Sequence, residues 1–466
     1  MLDRWSGVAT GATSAALLLA LGGPAAAQGE VGLPAPPAAA VIAIDDPMLA
    51  PPPEAPRVIG SWDEALGLVH NGTPEYLSAA QDVLHAEAQA QLAVSQLLPT
   101  LTGTGSYTHQ FLTETVSLSP TGAAGESFVT PAPNVWTASA NLTLPIVNVR
   151  GVYAQGTASR GVDAAAATFK DRKRQIAVSL VHTMLTTLTA RRTAELNRVG
   201  LRTALERLAL TRTKMRDQQG TQLDVERAER DAAAARSTLV TGDESLRQSR
   251  EALGSALGSR EPTSARSSLA FQELEQAVLR RCKISTDLEN RPDVVAARRN
   301  VDVAERKVTD AWLTLAPSLS LQSQLAYQSE TVLEPMSTFL VEGVLTVPLF
   351  DGGVALATAR DARTSAEQAR QALARARLNA LVNVAQSTRA VAVQTASRDL
   401  AQAERDLAHS IDVRTREGYL HGLGTSLDLV TSAQTLRQDE INLAILEFQV
   451  AEARADALLA NADCTY

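Results

Sequence analysis

Four stretches of the chain alternate between apolar and polar residues with the period of two that a β-strand requires. In the first, Leu101, Gly103, Gly105, Tyr107 and Phe111 share one face with His109. Thr100, Thr102, Thr104, Ser106, Thr108 and Gln110 take the other face. In the second, Trp136, Ala138, Ala140, Leu142 and Leu144 oppose Thr137, Ser139, Asn141 and Thr143. In the third, Leu319, Leu321, Leu325 and Tyr327 oppose Ser318, Ser320, Gln322 and Gln324. The fourth is looser: Phe339, Val341, Gly343, Leu345 and Val347 oppose Thr338 and Glu342, while Leu340 and Val344 blur the pattern. The polar faces are almost wholly Ser, Thr, Asn and Gln, as in a water-filled lumen. Strands of about 10 residues are long enough to cross a bilayer. A pair of soluble hairpins with one wet face is the competing arrangement.

The intervening pattern is helical. Val152–Gln219 and Val354–His421 contain no proline and little glycine. At ~1.5 Å per residue, each predicts a helix roughly 100 Å long. Apolar residues recur at Ile176, Leu180, Met184 and Leu188, and again at Leu201, Leu205 and Leu208, with Arg, Gln, Glu and Thr between them. The return segments, about Leu223–Leu257 and Leu427–Ala460, have the same character, which predicts coiled-coil packing. The alanine runs Ala164–Ala167 and Ala232–Ala235 permit close approach of helix backbones. Pro99 and Pro317 end a helix before a strand, whereas Pro145 and Pro348 close a strand before a helix.

These landmarks occur twice. Pro74 and Pro99 stand 25 residues apart, as do Pro292 and Pro317. Leu144-Pro145-Ile146 matches Val347-Pro348-Leu349, and each is followed by a turn, Asn148–Gly151 and Asp351–Gly353. Gly220-Thr221-Gln222-Leu223-Asp224-Val225 begins 75 residues after Pro145. Gly424-Thr425-Ser426-Leu427-Asp428-Leu429 begins 76 after Pro348. The chain reads as one domain written twice: helix, strand, strand, very long helix, turn, helix. The predicted organisation is a first repeat at 58–260, a connection at 261–290 and a second repeat at 291–462.

Ahead of the repeats, residues 1–27 read as an export signal: Ala15–Leu21 form a short apolar core and Ala25-Ala26-Ala27 an A-x-A-like cleavage site. Residues 28–57 are proline-rich and predict a disordered tether. Composition then narrows the function. The 466 residues carry a net charge of −8, which leaves no basic face for nucleic acid. Two cysteines exclude a disulfide scaffold or a cysteine-based zinc module. No metal-ligand cluster, nucleotide loop, dinucleotide fingerprint or nucleophile elbow occurs, so no catalytic, cofactor or metal residue is assigned. Beyond the first 30 residues no apolar run is long enough for a spanning helix, so any membrane crossing falls to strands. Four strands leave two unpaired edges and cannot close a barrel. Copies of the chain must combine, two giving 8 strands or three giving 12; cyclic symmetry suits either closure.

The duplicated layout, the stretch Val347-Pro348-Leu349-Phe350-Asp351-Gly352-Gly353 and the turn Tyr419…Gly422…Thr425-Ser426-Leu427-Asp428 resemble the outer-membrane efflux protein family, the TolC-like outer membrane factors. The resemblance spans about Val58 to Ala462. It implies a homotrimer in which a 12-stranded transmembrane β-barrel continues into a long periplasmic α-helical barrel. It also implies a passive exit duct in the bacterial outer membrane, embedded in lipid and reaching into the periplasm. The duct would serve a tripartite efflux or type I secretion system with a periplasmic adaptor and an inner-membrane transporter. A periplasmic coiled-coil adaptor or scaffold is the alternative, expected to show one helical hairpin flanked by compact β-domains.

Within the resemblance, Asp428 and Tyr419 match positions that line and hold the closed periplasmic entrance, and Asp224 is the first-repeat counterpart of Asp428. Capping of a helix N-terminus is the competing role for Asp224, and coiled-coil packing the competing role for Tyr419. Tyr419 faces Met215 in the repeat comparison, so the two tips are chemically unequal. Thr431 stands where some members carry a second acidic residue. The tips, Gly220, Thr221, Gly422, Leu423, Gly424 and Thr425, are the candidate adaptor-docking residues, with Gly220 and Gly424 expected to supply the permissive turn backbone. Cys282 and Cys464 would both fall in the equatorial belt of such an architecture, which makes them a candidate disulfide pair.

Overall fold

A computed structural model describes residues 44–112, 114–117, 127–130, 134–266, 276, 282–284, 287–329, 336–460 and 462–464. The expected export signal, and the tether as far as residue 43, lie outside the described residues. The chain opens with β1 (Arg57–Ile59), α1 (Trp62–Gly72) and α2 (Pro74–Ser95). Strands β2 (Thr100–His109) and β5 (Asn134–Asn148) flank a small hairpin of β3 (Glu114–Ser117) and β4 (Ser127–Thr130). Then come α3 (Val149–Arg216), α4 (Gln222–Ala256), β6 (Thr263–Ala265) and β7 (Cys282–Ile284). The second repeat is α5 (Pro292–Trp312), β8 (Ser318–Gln328), β9 (Met336–Thr346), α6 (Val354–Leu420) and α7 (Ser426–Ala460), closed by β10 (Ala462–Cys464). Among the described residues, no helix is long and apolar enough to cross a membrane.

The four alternating stretches form one antiparallel sheet in the order β2-β5-β8-β9, joined across the repeats by β5 and β8. Alternation sets its two faces. On one, the hydroxyls of Thr104 and Ser139 meet at 2.8 Å and those of Ser106 and Thr137 at 2.7 Å. On the other, the Tyr107 and Trp136 rings pack with centroids 4.8 Å apart. Strands β2 and β9 have no partner on their outer sides within this sheet. Pro145 does not close its strand: β5 runs on to Asn148 through an irregularity between Pro145 and Val147. A proline fits there because a bulge needs no donor from it. Asn148, expected in a turn, instead caps α3 by accepting the Gly151 N–H at 2.8 Å.

Helices α3 and α6 run uninterrupted for 68 and 67 residues. An apolar cluster gathers partway along α3, where Leu180, Val181 and Met184 bury against Ile59, Trp62 and Val69, Leu253 of α4, Ala265 of β6 and Leu459 of α7. There β1 pairs parallel with β6. The predicted tether is corrected over 44–57. Residues 44–56 form a strap laid along the first hairpin. Ile44, Met48 and Leu49 pack on the Leu201–Leu239 cluster of α3 and α4. Asp46 caps a short 3-10 turn at Pro47–Leu49 and pairs with Arg236 at 2.9 Å. Further along, Arg250 Nη1 donates to the Pro53 carbonyl at 2.8 Å. Proline-rich backbone cannot pair in a ladder, yet its carbonyls still accept from arginines and its few apolar side chains still find a groove.

Candidate functional site at the hairpin tips

Both tips are built by the same local chemistry. Helix α3 ends where Gln219 N–H donates to the Lys214 carbonyl at 2.8 Å, and α6 ends where Leu423 N–H donates to the Gly418 carbonyl at 2.8 Å. The return helices begin with matched capping boxes. Asp224 N–H donates to the Thr221 hydroxyl at 3.3 Å and Asp224 Oδ2 accepts the Thr221 N–H at 3.0 Å. Asp428 N–H donates to Thr425 at 3.2 Å, and Asp428 Oδ2 accepts the Thr425 N–H at 3.1 Å. Each box satisfies donors that the first helical turn leaves unpaired.

The turn backbone corrects one expectation. The left-handed positions are Gln218, with φ 59°, and Gly422, with φ 76°, two residues before Gly220 and Gly424. Gly220 and Gly424 carry no such demand, since a Cβ on either would lie 3.4 Å from the backbone nitrogen of Met215 or Tyr419, an ordinary van der Waals contact. The second tip therefore places a glycine where the first strains a glutamine, a residue that pays for αL geometry sterically.

Between the tips the two repeats touch. Tyr419 is buried, with its hydroxyl bonded to Thr211 of α3. The Lys214 ammonium lies 4.1 Å from the centre of the Tyr419 ring and donates to the Tyr419 carbonyl. Burial pushes the Tyr419 phenol above its usual value, and the Asp224 charge adds to that against the Thr211 hydrogen bond. Ser426 donates to Asp224 Oδ1. Burial opposes ionisation of Asp224, but hydrogen bonds from Ser426 and Thr221 and the Arg227 charge together hold its carboxyl below the usual value. Asp428 makes no such crossing. It is exposed, and the Thr425 hydroxyl and then the Thr425 N–H lower its pKa. Of the three predicted entrance residues, Tyr419 and Asp224 join one cluster and Asp428 stands apart from it. Leu423 at the second tip is 88% exposed.

Further up the hairpins lies a second tie, which repeat comparison did not find. Asp231 of α4, its side chain 1% exposed, accepts from Arg207 Nη2 of α3 at 2.7 Å and from Gln434 Nε2 of α7 at 2.8 Å. Arg437 of α7 approaches it at 3.8 Å. Arg437 reaches Asp231 across Gly200, where a Cβ would come within 2.5 Å of the arginine's Cδ. An isolated glycine inside a helical pattern is the signal that could have found this crossing. Lys214 offered a comparable signal, since its counterpart in the second repeat is Gly418.

Known proteins give this geometry its context. The family profile described as outer membrane efflux protein matches residues 66–259 and 284–460. A search of curated proteins by sequence finds no match. Among solved structures, the outer membrane protein VceC of Vibrio cholerae is 17% identical with a TM-score of 0.68, over 85% of this chain and 95% of that one. The CmeC outer membrane channel of Campylobacter jejuni is 16% identical with a TM-score of 0.72, over 85% and 84% of the two chains. The open state of the MtrE outer membrane channel of Neisseria gonorrhoeae is 17% identical with a TM-score of 0.69, over 85% and 88%. The profile match sets aside the adaptor-scaffold reading, and the two hairpins alternating with paired strands agree with that. Two repeats, one sheet with open edges and a fold shared with outer membrane channels lead to one assignment: the chain belongs to the outer membrane efflux protein family.

Proposed function

We propose that three copies of this chain close a 12-stranded barrel in the outer membrane and a helical tunnel beneath it. The assembly is a passive exit duct, with no catalytic step, for a tripartite efflux or type I secretion system. The observation that carries this reading is the sheet β2-β5-β8-β9, whose two outer edges need partners in lipid. Two hairpins about 100 Å long by rise alone hang from it, a length suited to reaching across the periplasm. A periplasmic adaptor docks on the tips at Gly220, Thr221, Gly422, Leu423, Gly424 and Thr425, and hands over cargo from an inner-membrane transporter.

The entrance is held shut on one side by the Lys214–Tyr419 and Asp224–Ser426 contacts between repeats. Asp428, exposed on the first turn of α7, forms a ring of three carboxylates that draws cations to the mouth. Single-channel recording in planar bilayers tests this. Tyr419→Phe removes the Thr211 hydrogen bond and is expected to raise conductance or open probability, and Asp428→Ala to reduce cation selectivity and raise conductance. Unchanged conductance in both variants would overturn the gate assignment.

A further inference from the structure

We propose that Cys282 and Cys464 are joined by a disulfide that closes the second repeat at its base. The ladder between β7 and β10 carries the inference. It is antiparallel, with Ala462 opposite Ile284, Asp463 opposite Lys283 and Cys464 opposite Cys282. Directly opposite residues of an antiparallel pair have Cα atoms about 4.5 or 5.5 Å apart, according to the hydrogen-bonding of the rung. Both separations fall within the about 4.4–6.8 Å that a disulfide spans. Opposite positions also share a face of the ladder. The chain has only two cysteines, 182 positions apart, and the fold brings both to one rung of a three-rung ladder.

The compartment agrees with the chemistry. Periplasmic and outer-membrane proteins meet an oxidising environment in which disulfides persist. The bond forms by thiol–disulfide exchange with an oxidising protein disulfide of that compartment. One cysteine thiolate attacks a sulfur of the oxidant and displaces its other sulfur as a thiolate. The second cysteine then attacks the mixed disulfide and releases the oxidant as a dithiol. Two S–H bonds are lost and one S–S bond is made, and the oxidant takes up two electrons and two protons.

The ladder joins the segment ahead of α5 to the segment after α7. The bond therefore encloses α5, β8, β9, α6 and α7 in one covalent loop. Cross-links that close long loops restrict the unfolded chain most. The inference rests on export alone, and it holds whatever cargo or adaptor the duct serves.

The test uses full-length protein extracted from membranes and unfolded with an alkylating reagent but no reductant, then digested for mass spectrometry. The expected result is one peptide pair joined through Cys282 and Cys464, lighter than the two free peptides by two hydrogen atoms, and alkylated at both cysteines only after reduction. Alkylation of both residues without reductant would sink the proposal. On a non-reducing denaturing gel the unreduced chain should run faster than the reduced chain, and Cys282→Ser and Cys464→Ser should each run as the reduced form. Covalent dimers that vanish in either serine variant would place the bond between copies and overturn it. Reduction should lower the thermal midpoint of the wild type and leave the Cys282→Ser/Cys464→Ser double variant unmoved; an insensitive wild type would contradict the stapling role.

Discussion

The two hairpins share their length, their caps and their turn geometry, yet they bury different things. The first closes on itself: Leu201, Leu205, Leu208, Val225 and Leu239 are buried between α3 and α4, and the strap covers them with Ile44, Met48 and Leu49. In the second, α6 buries only alanines and Tyr419. Its large apolar residues face outward: Leu378 is 63% exposed, Leu400 67%, Leu407 65% and Ile411 56%. Leu400, Leu407 and Ile411 follow heptad-like spacing on one stripe of the helix, as a seam for another helix requires. The duplicated domain has thus diverged into a hairpin whose apolar residues are covered within the chain and one whose long helix leaves its large apolar residues exposed.

That contrast can be broken or sharpened by substitution. The largest effect is expected at the tie between the hairpins. Asp231→Ala leaves the half-buried Arg207 and Arg437 without their buried carboxylate, and breaking a buried pair costs about 3–5 kcal/mol. The thermal midpoint followed by helix ellipticity should fall sharply; a midpoint unchanged from wild type would mean that the hairpins are not coupled there. Next comes the seam. Leu407→Ala removes apolar burial of about 1.5–3 kcal/mol per interface, so native mass spectrometry should show loss of the assembled species while isolated chains keep their helix content. A matching loss of helix in the isolated chain would instead make Leu407 a residue of the protomer's own core.

Smaller effects separate the ends of the second hairpin. Thr425→Ala removes the cap of α7 and should cost about 1 kcal/mol, visible as faster amide exchange confined to the tip. Exchange that spreads along the hairpin would show the cap to have a wider role. Smallest is the pH dependence at the other end. His182 of α3 bonds Asp456 of α7 at 2.6 Å and lies 3.4 Å from Glu452. The Asp456 hydrogen bond raises its pKa above the ordinary 6.5, burial opposes, and the charges of Asp456 and Glu452 add to the rise. Because the folded-state value is the higher one, the stabilisation is complete below 6.5 and is lost as pH climbs through the raised value. A stability profile that declines across that window in wild type should flatten in His182→Gln, and equal slopes would remove His182 from the account.

Much of the architecture was legible because it rests on local periodicity. Alternation at Leu101–Tyr107 and Leu319–Tyr327 marks strands, and proline-free runs after Val152 and Val354 mark the long helices. The irregularity after Pro145 escaped, because proline reads as a strand end wherever a bulge does not accommodate it. The strap escaped because proline-rich composition reads as tether, while Asp46 finds Arg236 at a separation of 190 residues. Distance in sequence also hid the entrance cluster. Asp224 and Tyr419 could be placed at the tips from repeat geometry and resemblance, but the partners that hold them, Ser426 and Lys214, lie on the opposite repeat. Gly424 was the visible glycine of the second turn, whereas Gly422 carries the left-handed φ. Only the helix-ending hydrogen bonds fix which of the two does so.

Two further copies of this chain are inferred to complete the open sheet edges and the apolar stripe of α6. Native mass spectrometry of the protein released from outer membranes in mild detergent tests it most directly. The account predicts a predominant species of three chains, dispersed to single chains by Leu407→Asp. A wild-type protein that is a stable single chain under those conditions, or a closed pair, would contradict it.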